Sequence, residues 1–229
     1  SVRAVRISAA HYYNVVDKSQ VEQLEEFKNA NREYVTELEV NSDLPAGLHQ
    51  LGVYYQSIGD VKKAQEYYLK AVEEDNYFNM SRMNLALIYY QQGLVEESEA
   101  IYQKIIEQEP DYSYTYYMLG LLYYETNRTD KALEYLEIAC NKEPPNESAF
   151  YNYALMLQQL NKNNEALTVL RKALITFPGN ERLLYVKLLS EINLNELNEA
   201  LNTCRTLLQI NPNNTNYIQI FQRLQQGTL

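Results

Sequence analysis

Positions 34 residues apart hold the same kind of side chain along most of this chain. Steps of 34 from Gly120 reach Gly52, Ala86 and Ala154, all small, and then the larger Leu188. The same steps from Ala132 reach Ala64, Ser98, Ala166 and Ala200, and from Pro144 they reach Asn76, Pro110, Pro178 and Pro212. Three columns keep one register with no insertion. A unit this short cannot bury its apolar face alone and must stack on its neighbours, so the period predicts a solenoid of helix–turn–helix units.

Turn chemistry places the helices. Gly59 and Gly93 close the first helix of their units, where a left-handed residue is required, and Asn127, Asn161 and Asn195 stand in the same column further on. Asn is the next best residue for that conformation. The proline column cannot continue a helix and sets the turn into the next unit. Helix pairs are expected at about 46–58 and 61–74, 79–92 and 95–108, 113–126 and 129–142, 147–160 and 163–176, and 181–194 and 197–210. Gly52, Ala86, Gly120 and Ala154 mark close helix crossings. Tyr55, Tyr68, Tyr89, Tyr102 and Tyr123 are expected to pack beside the small column at Ala64 and its equivalents. The fifth unit departs, with Lys187, Leu188 and Glu191 in the Leu, small and Tyr columns, and its first helix is expected to pack more loosely.

Residues 1–44 read as helices outside this register. Val2, Val5, Ala9 and Tyr12-Tyr13 recur at helical spacing. Ser19 with Glu22 forms a possible capping box, opening a long helix to about Glu39 with Val21, Leu24, Phe27, Tyr34, Val35 and Leu38 as its stripe. At the other end, residues 213–229 hold one more first helix, with Tyr217, Ile218, Phe221 and Leu224 as its apolar residues and a polar outer face of Gln219, Gln222, Arg223, Gln225 and Gln226 that suits a solubilising cap.

The central unit, residues 113–146, carries Tyr116, Leu119-Gly120, Tyr123, Ala132, Leu136, Ala139 and Pro144. In this order and spacing the residues resemble the tetratricopeptide repeat. The resemblance implies an all-α fold, a right-handed α-α superhelix of five units (45–78, 79–112, 113–146, 147–180 and 181–212), with the N-terminal helices before it and the capping helix after it. It also implies that the first helix of each unit lines a concave groove. Carried onto this sequence, the groove positions include His49 and Val53; Met80, Met83, Leu87 and Tyr90; Tyr114, Tyr117, Leu121 and Tyr124; Tyr151 and Leu155; and Tyr185. Ala46, Gln56, Ser148, Gln158, Arg182, Leu189 and Ile192 complete the set. The family's clamp for a C-terminal carboxylate needs Lys, Arg and Asn where this chain has His49, Val53, Met83 and Leu87, so that clamp is absent.

Such a groove is apolar and aromatic. Tyr is the compositional outlier, 22 copies against five Phe and no Trp, and a ring with one hydrogen-bonding tip suits an interface. Two readings follow. The groove holds a protein or peptide partner, a neighbouring upstream domain of the same polypeptide or a second copy. Otherwise its residues touch the next repeat or are covered by the 19–41 helix.

Signals for chemistry are few. His11 and His49 lie in different elements and no metal-ligand spacing accompanies them, so neither a metal nor a cofactor is expected. The acidic runs Glu73-Glu74-Asp75 and Glu96-Glu97 read as solvated faces. Cys140 and Cys204 sit nearly two units apart and read as free, partly buried thiols. No enzyme is expected. A net charge of −10 argues against nucleic acid and anionic lipid. No apolar run is long enough to span a bilayer, and the start SVRAVRISAAHYY reads as neither a signal peptide nor a natural beginning but as a cut from a longer protein.

Residues 2–10, VRAVRISAA, resemble a HEAT-like repeat helix. Residues 33–52, together with NMSRMNLALIYYQQG, MLGLLYYETNR and YNYALMLQQLNKNNEAL, resemble the C-terminal tails of bacterial multihaem cytochrome c-type proteins. With no Cys-x-x-Cys-His here, that likeness implies a haem-free scaffold part of an exported, periplasmic parent. A stand-alone protein would be cytoplasmic.

Overall fold

The computed structural model describes residues 2–16, 19–21 and 23–227, and among these it holds thirteen α-helices and no strand. The helices fall into two compact units, residues 1–108 and 109–229. The first contains α1 (Val2–Val15), α2 (Glu25–Val40), α3 (Pro45–Ser57), α4 (Val61–Glu74), α5 (Asn79–Gln91) and α6 (Val95–Gln108). The second contains α7 (Ser113–Glu125), α8 (Thr129–Ala139), α9 (Glu147–Gln159), α10 (Asn163–Thr176), α11 (Glu181–Asn193), α12 (Leu197–Ile210) and α13 (Thr215–Gln226). Within each unit every helix packs on the next, and α3 also touches α5, α7 touches α9 and α9 touches α11.

The turns follow from residue type. Gly59 and Gly93 take φ of 83° and 80°, and Asn127, Asn161 and Asn195 take 58°, 60° and 60°. These are left-handed conformations that only Gly and Asn enter cheaply. Asn146, Asn180 and Asn214 cap α9, α11 and α13 through side-chain oxygens that accept backbone N–H groups.

The small columns mark close approach. A methyl group on Gly52 would stand 2.4 Å from the Tyr68 ring on α4, and one on Gly120 would stand 3.0 Å from Leu136 on α8. Ser98 on α6 donates 2.8 Å to the Ala86 carbonyl on α5, joining the two columns directly. Tyr68, Tyr102 and Tyr123 are buried.

Four expectations change. The helix expected over 129–142 stops at Ala139. The following loop instead pins the start of α7: Glu143 N–H donates to the Asp111 carbonyl at 3.1 Å, and Ser113 N–H donates to the Glu143 carbonyl at 2.9 Å. The Glu143–Pro144 peptide is cis. The long N-terminal helix begins at Glu25 rather than near Ser19, and the proposed cap partner Glu22 lies outside the described residues.

The described residues of the 19–41 segment do not lie on the groove residues. Leu38, Tyr34 and Val35 of α2 pack with Leu51, Tyr54 and Ile58 of α3, while Val53 and Met80 stay exposed. The register in fact reaches into α2: Ala30 and Tyr34 stand one period before Ala64 and Tyr68, and Ala30 is buried. Gly47 has a role the repeat pattern does not announce, since a Cβ there would strike the Asn41 carbonyl oxygen at 1.8 Å.

The fifth helix pair is not loose. Leu188 is fully buried in one core with Ala200, Cys204, Leu207 and Tyr217. Leu188 with Cys204 occupies the columns held by Gly120 with Leu136, so large and small have exchanged places. Glu191, 1% exposed, pairs with Lys187 one turn earlier, and the Lys187 ammonium also donates 2.6 Å to Thr203 on α12.

Candidate functional site

The thirteen candidate groove residues from His49 to Tyr185 all sit on first helices, and none is buried. In the first unit, His49 and Val53 on α3 lie beside Met80, Met83, Leu87 and Tyr90 on α5. His49 is a wall rather than a free ligand. Its Nδ1 is 3.0 Å from Ser81 Oγ on α5, and its ring leans on Tyr68 and Phe78. Burial lowers its pKa below the ordinary imidazole value. Met80, at 63% exposure, is the most open of the six.

In the second unit the tyrosines form a row. The Tyr114 and Tyr117 rings meet along α7 at a tilt of 45°, with centroids 6.0 Å apart. Burial, and secondarily the neighbouring Tyr117 and Tyr112, raises the pKa of Tyr114, so its hydroxyl stays protonated at neutral pH. Asn152 on α9 donates 3.0 Å to the Tyr117 hydroxyl. Tyr124 donates to Gln159 at 3.4 Å, and Asn216 on α13 donates 3.2 Å to the Tyr185 hydroxyl. Because Tyr117 and Tyr185 accept in these bonds, each keeps its own O–H to give away.

Between α7 and α9 opens a cleft of about 140 Å³, lined by Leu121, Tyr124, Leu155 and Met156 with Asn152, Gln159 and Glu125 at its rim. One turn along α9 from Leu155, the Tyr151 ring carries the Arg182 guanidinium of α11 at 4.0 Å. Arg182 reaches Glu147 at 3.8 Å and remains 55% exposed. Ile192 and Gln158 serve the fold: Ile192 packs against the core around Leu188, and Gln158 donates to the Val186 carbonyl and to Ser190 Oγ.

Asn152 and Gln159 were absent from the sequence-derived set. Both stand 35 residues after the tyrosine they meet. The signal that could have found them is the spacing of one period plus one residue between adjacent first helices. Elsewhere both cysteines are free and buried, with Cys140 pushed up to about 12 and Cys204 also raised, both mainly by burial. Among the described residues no cluster of His, Cys, Asp and Glu could hold a metal ion, and no helix is long and apolar enough to cross a membrane.

Three family models described as tetratricopeptide repeat match residues 46–78, 77–141 and 117–181. The chain carries tetratricopeptide repeats. Among solved structures, YrrB, a TPR protein whose structure is reported with an unusual peptide-binding site, aligns at 18% identity and a TM-score of 0.58, covering 82% of this chain and 97% of that one. The pilF protein of Pseudomonas aeruginosa aligns at 19% identity and a TM-score of 0.61, covering 99% and 100%. Yeast Tom70 aligns at 16% identity and a TM-score of 0.71 over 96% of this chain, which spans 46% of Tom70. These likenesses concern the fold of the tetratricopeptide repeats. A comparison with curated proteins found no match. The findings name tetratricopeptide repeats and not multihaem cytochrome tails.

Proposed function

We propose that the tetratricopeptide array is a non-enzymatic scaffold that binds an apolar or aromatic peptide segment of a protein partner along α7, α9 and α11. The observation that carries this reading is the Leu121–Tyr124–Leu155 cleft, whose lining residue Asn152 donates to the Tyr117 hydroxyl. Apolar side chains enter the cleft, and the free O–H groups of Tyr117 and Tyr185 meet peptide carbonyls that would otherwise be stripped of water. Tyrosines already ordered by Asn152 and Asn216 lose little further freedom on binding, which favours affinity. That YrrB is reported with a peptide-binding site on this fold supports the class of partner. The patch on α3 and α5, with Met80 and Met83, offers the first unit a flexible apolar surface of the adaptable kind Met provides.

The haem-free scaffold reading, in which the array docks its own upstream domain, uses the same surface with a tethered partner. No separate observation favours it.

The test uses the full chain and fluorescein-labelled dodecapeptides rich in Leu, Phe and Tyr, with Ser-substituted copies as controls, read by anisotropy. Apolar peptides bind and their controls do not. Changing Tyr117 and Tyr124 to Ala weakens binding at least about ten-fold, or 1.4 kcal/mol, with the thermal unfolding curve held near its position. Binding untouched by the double substitution, or no binding by any apolar peptide, overturns the proposal.

A further inference from the structure

The groove columns do not stop at α11. One period after Arg182, Tyr185, Leu189 and Ile192 stand Asn216, Gln219, Arg223 and Gln226 on α13, and all four are exposed. Asn216 donates to the Tyr185 hydroxyl at 3.2 Å, as Asn152 of α9 does to Tyr117 of α7. The face of α13 that reads as a polar cap is therefore also the last wall of the groove.

Charge is spread unevenly over these columns. The chain has 30 acidic residues, and none falls in a groove column from α3 to α13. α7 and α9 place no charge there at all. The fixed charges in the columns are Arg182 on α11 and Arg223 on α13, both positive in a chain of net charge −10. The second unit thus presents an apolar, tyrosine-lined stretch that turns cationic at its α11–α13 end.

Arg182 is held in place without being used up. Its guanidinium lies over the Tyr151 ring at 4.0 Å. Glu147 approaches to 3.8 Å, beyond hydrogen-bond reach, and Glu181 commits its carboxylate to the Tyr217 hydroxyl at 2.8 Å. The N–H fork of Arg182 therefore stays open to a carboxylate, which it matches in two parallel bonds, and the Tyr185 O–H lies one turn along. Arg182 and Arg223 occupy columns seven residues apart, about 10 Å along a helix. One chain-end carboxylate is badly placed to meet both, whereas two acidic side chains of one segment are spaced for it.

We propose that the α11–α13 end of the groove selects the partner by charge: resting on the peptide-binding reading above, it takes Asp or Glu side chains adjoining the apolar residues seated on α7 and α9. Arg182 with Tyr185 receives one carboxylate and Arg223 another. Exposed ion pairs are individually weak, so they add selectivity and association rate to an affinity set by apolar contact. Glu147 beside Arg182 is a resident competitor.

The test uses the full chain and dodecapeptides with fluorescein at the apolar end, read by anisotropy. Each joins a stretch of Leu, Phe and Tyr to a block of Glu, in either order, and is compared with a copy carrying Gln in place of Glu. At low salt at least one Glu peptide is expected to bind roughly five-fold tighter than its Gln copy, a preference that shrinks as salt screens it. Arg182→Gln with Arg223→Gln is expected to bring the ratio of the two affinities to about one, while Arg182→Lys with Arg223→Lys keeps part of it. Glu147→Gln is expected to widen the ratio, and amidating the peptide C-terminus to leave it unchanged. Apolar peptides that bind equally well with Glu or Gln, or a preference that survives the double Gln substitution, overturn this inference and leave the groove reading standing. A preference lost on amidation places the carboxylate at the chain end and overturns the side-chain assignment. If no apolar peptide binds, the groove reading fails and this inference falls with it.

Discussion

The α7–α8 and α11–α12 pairs solve one packing problem in two ways. In the first, Gly120 on α7 gives way to Leu136 on α8, with Leu119 and Tyr123 buried alongside. In the second, Leu188 fills the space from α11 and Cys204 on α12 yields it. The two columns preserve their combined bulk rather than the identity of either residue, as close packing demands. The neighbouring columns diverge further, for Leu119 and Tyr123 are matched by Lys187 and Glu191, an ion pair closed by Thr203. A buried polar group is tolerated where every partner comes from the same helix pair. Glu191 nevertheless leaves one carboxylate oxygen without a hydrogen bond.

The largest effect should come from breaking the exchange of sizes. Leu188→Ala is expected to cost roughly 2–5 kcal/mol by opening a cavity. Adding Cys204→Leu should recover part of that loss, with a coupling of about 1 kcal/mol or more. Urea denaturation of the four chains of the cycle measures it, and strict additivity would mean that the two columns do not share one space.

Next in size is the ion pair. Glu191→Ala strands the Lys187 ammonium at 19% side-chain exposure, with an expected loss of about 3 kcal/mol. Replacing both, as Lys187→Met with Glu191→Leu, restores the apolar columns of α7 and should be neutral or stabilising by about 1 kcal/mol. A large loss in the double variant would show that the pair specifies the α11–α12 packing rather than merely occupying it.

Gly120→Ala should cost less, about 1 kcal/mol, because the 3.0 Å contact with Leu136 is partly offset by the helix preference of Ala over Gly. Leu136→Val in the same chain should relieve the contact, and calorimetry can follow the recovery.

The smallest effect is a pH baseline for the ion-pair comparison. His49 titrates below its ordinary value of 6.5 because it is buried. As pH falls through 6.5 the unfolded chain takes up a proton that the folded chain refuses, so stability declines until the lower folded pKa is passed and then levels off. His49→Gln should flatten that part of a stability-against-pH curve. A slope that persists in this variant would have to come from other groups.

Much of the fold was legible because it repeats. A column such as Gly59, Gly93, Asn127, Asn161 and Asn195 states a backbone requirement five times, and the left-handed φ at each answers it. Departures were legible as departures but not in sign: Leu188 in a small column read as loosened packing, since its compensation by Cys204 lies sixteen residues away on another helix. The break at Ala139 was likewise hidden, because it depends on how the Pro144-Pro145 loop hydrogen-bonds to the start of α7.

For the candidate site, the resemblance to the tetratricopeptide repeat implied which positions of each first helix line a groove, with tyrosines among them on α5, α7, α9 and α11. Only the tertiary structure decided which hydroxyls are spent. Tyr117 and Tyr185 accept from Asn152 and Asn216, and Tyr124 donates to Gln159, pairings set by the offset between adjacent helices rather than by the repeat alone. The same holds at the N-terminus. Helical spacing in the sequence placed Val2, Val5, Ala9 and Tyr12 on one face, and that periodicity is local. Whether the face turned inward or outward depended on α2, which meets Arg6, His11 and Asn14 through Glu33, Tyr34 and Asn31 and meets Tyr13 through Phe27, while Val2, Val5 and Tyr12 stay exposed.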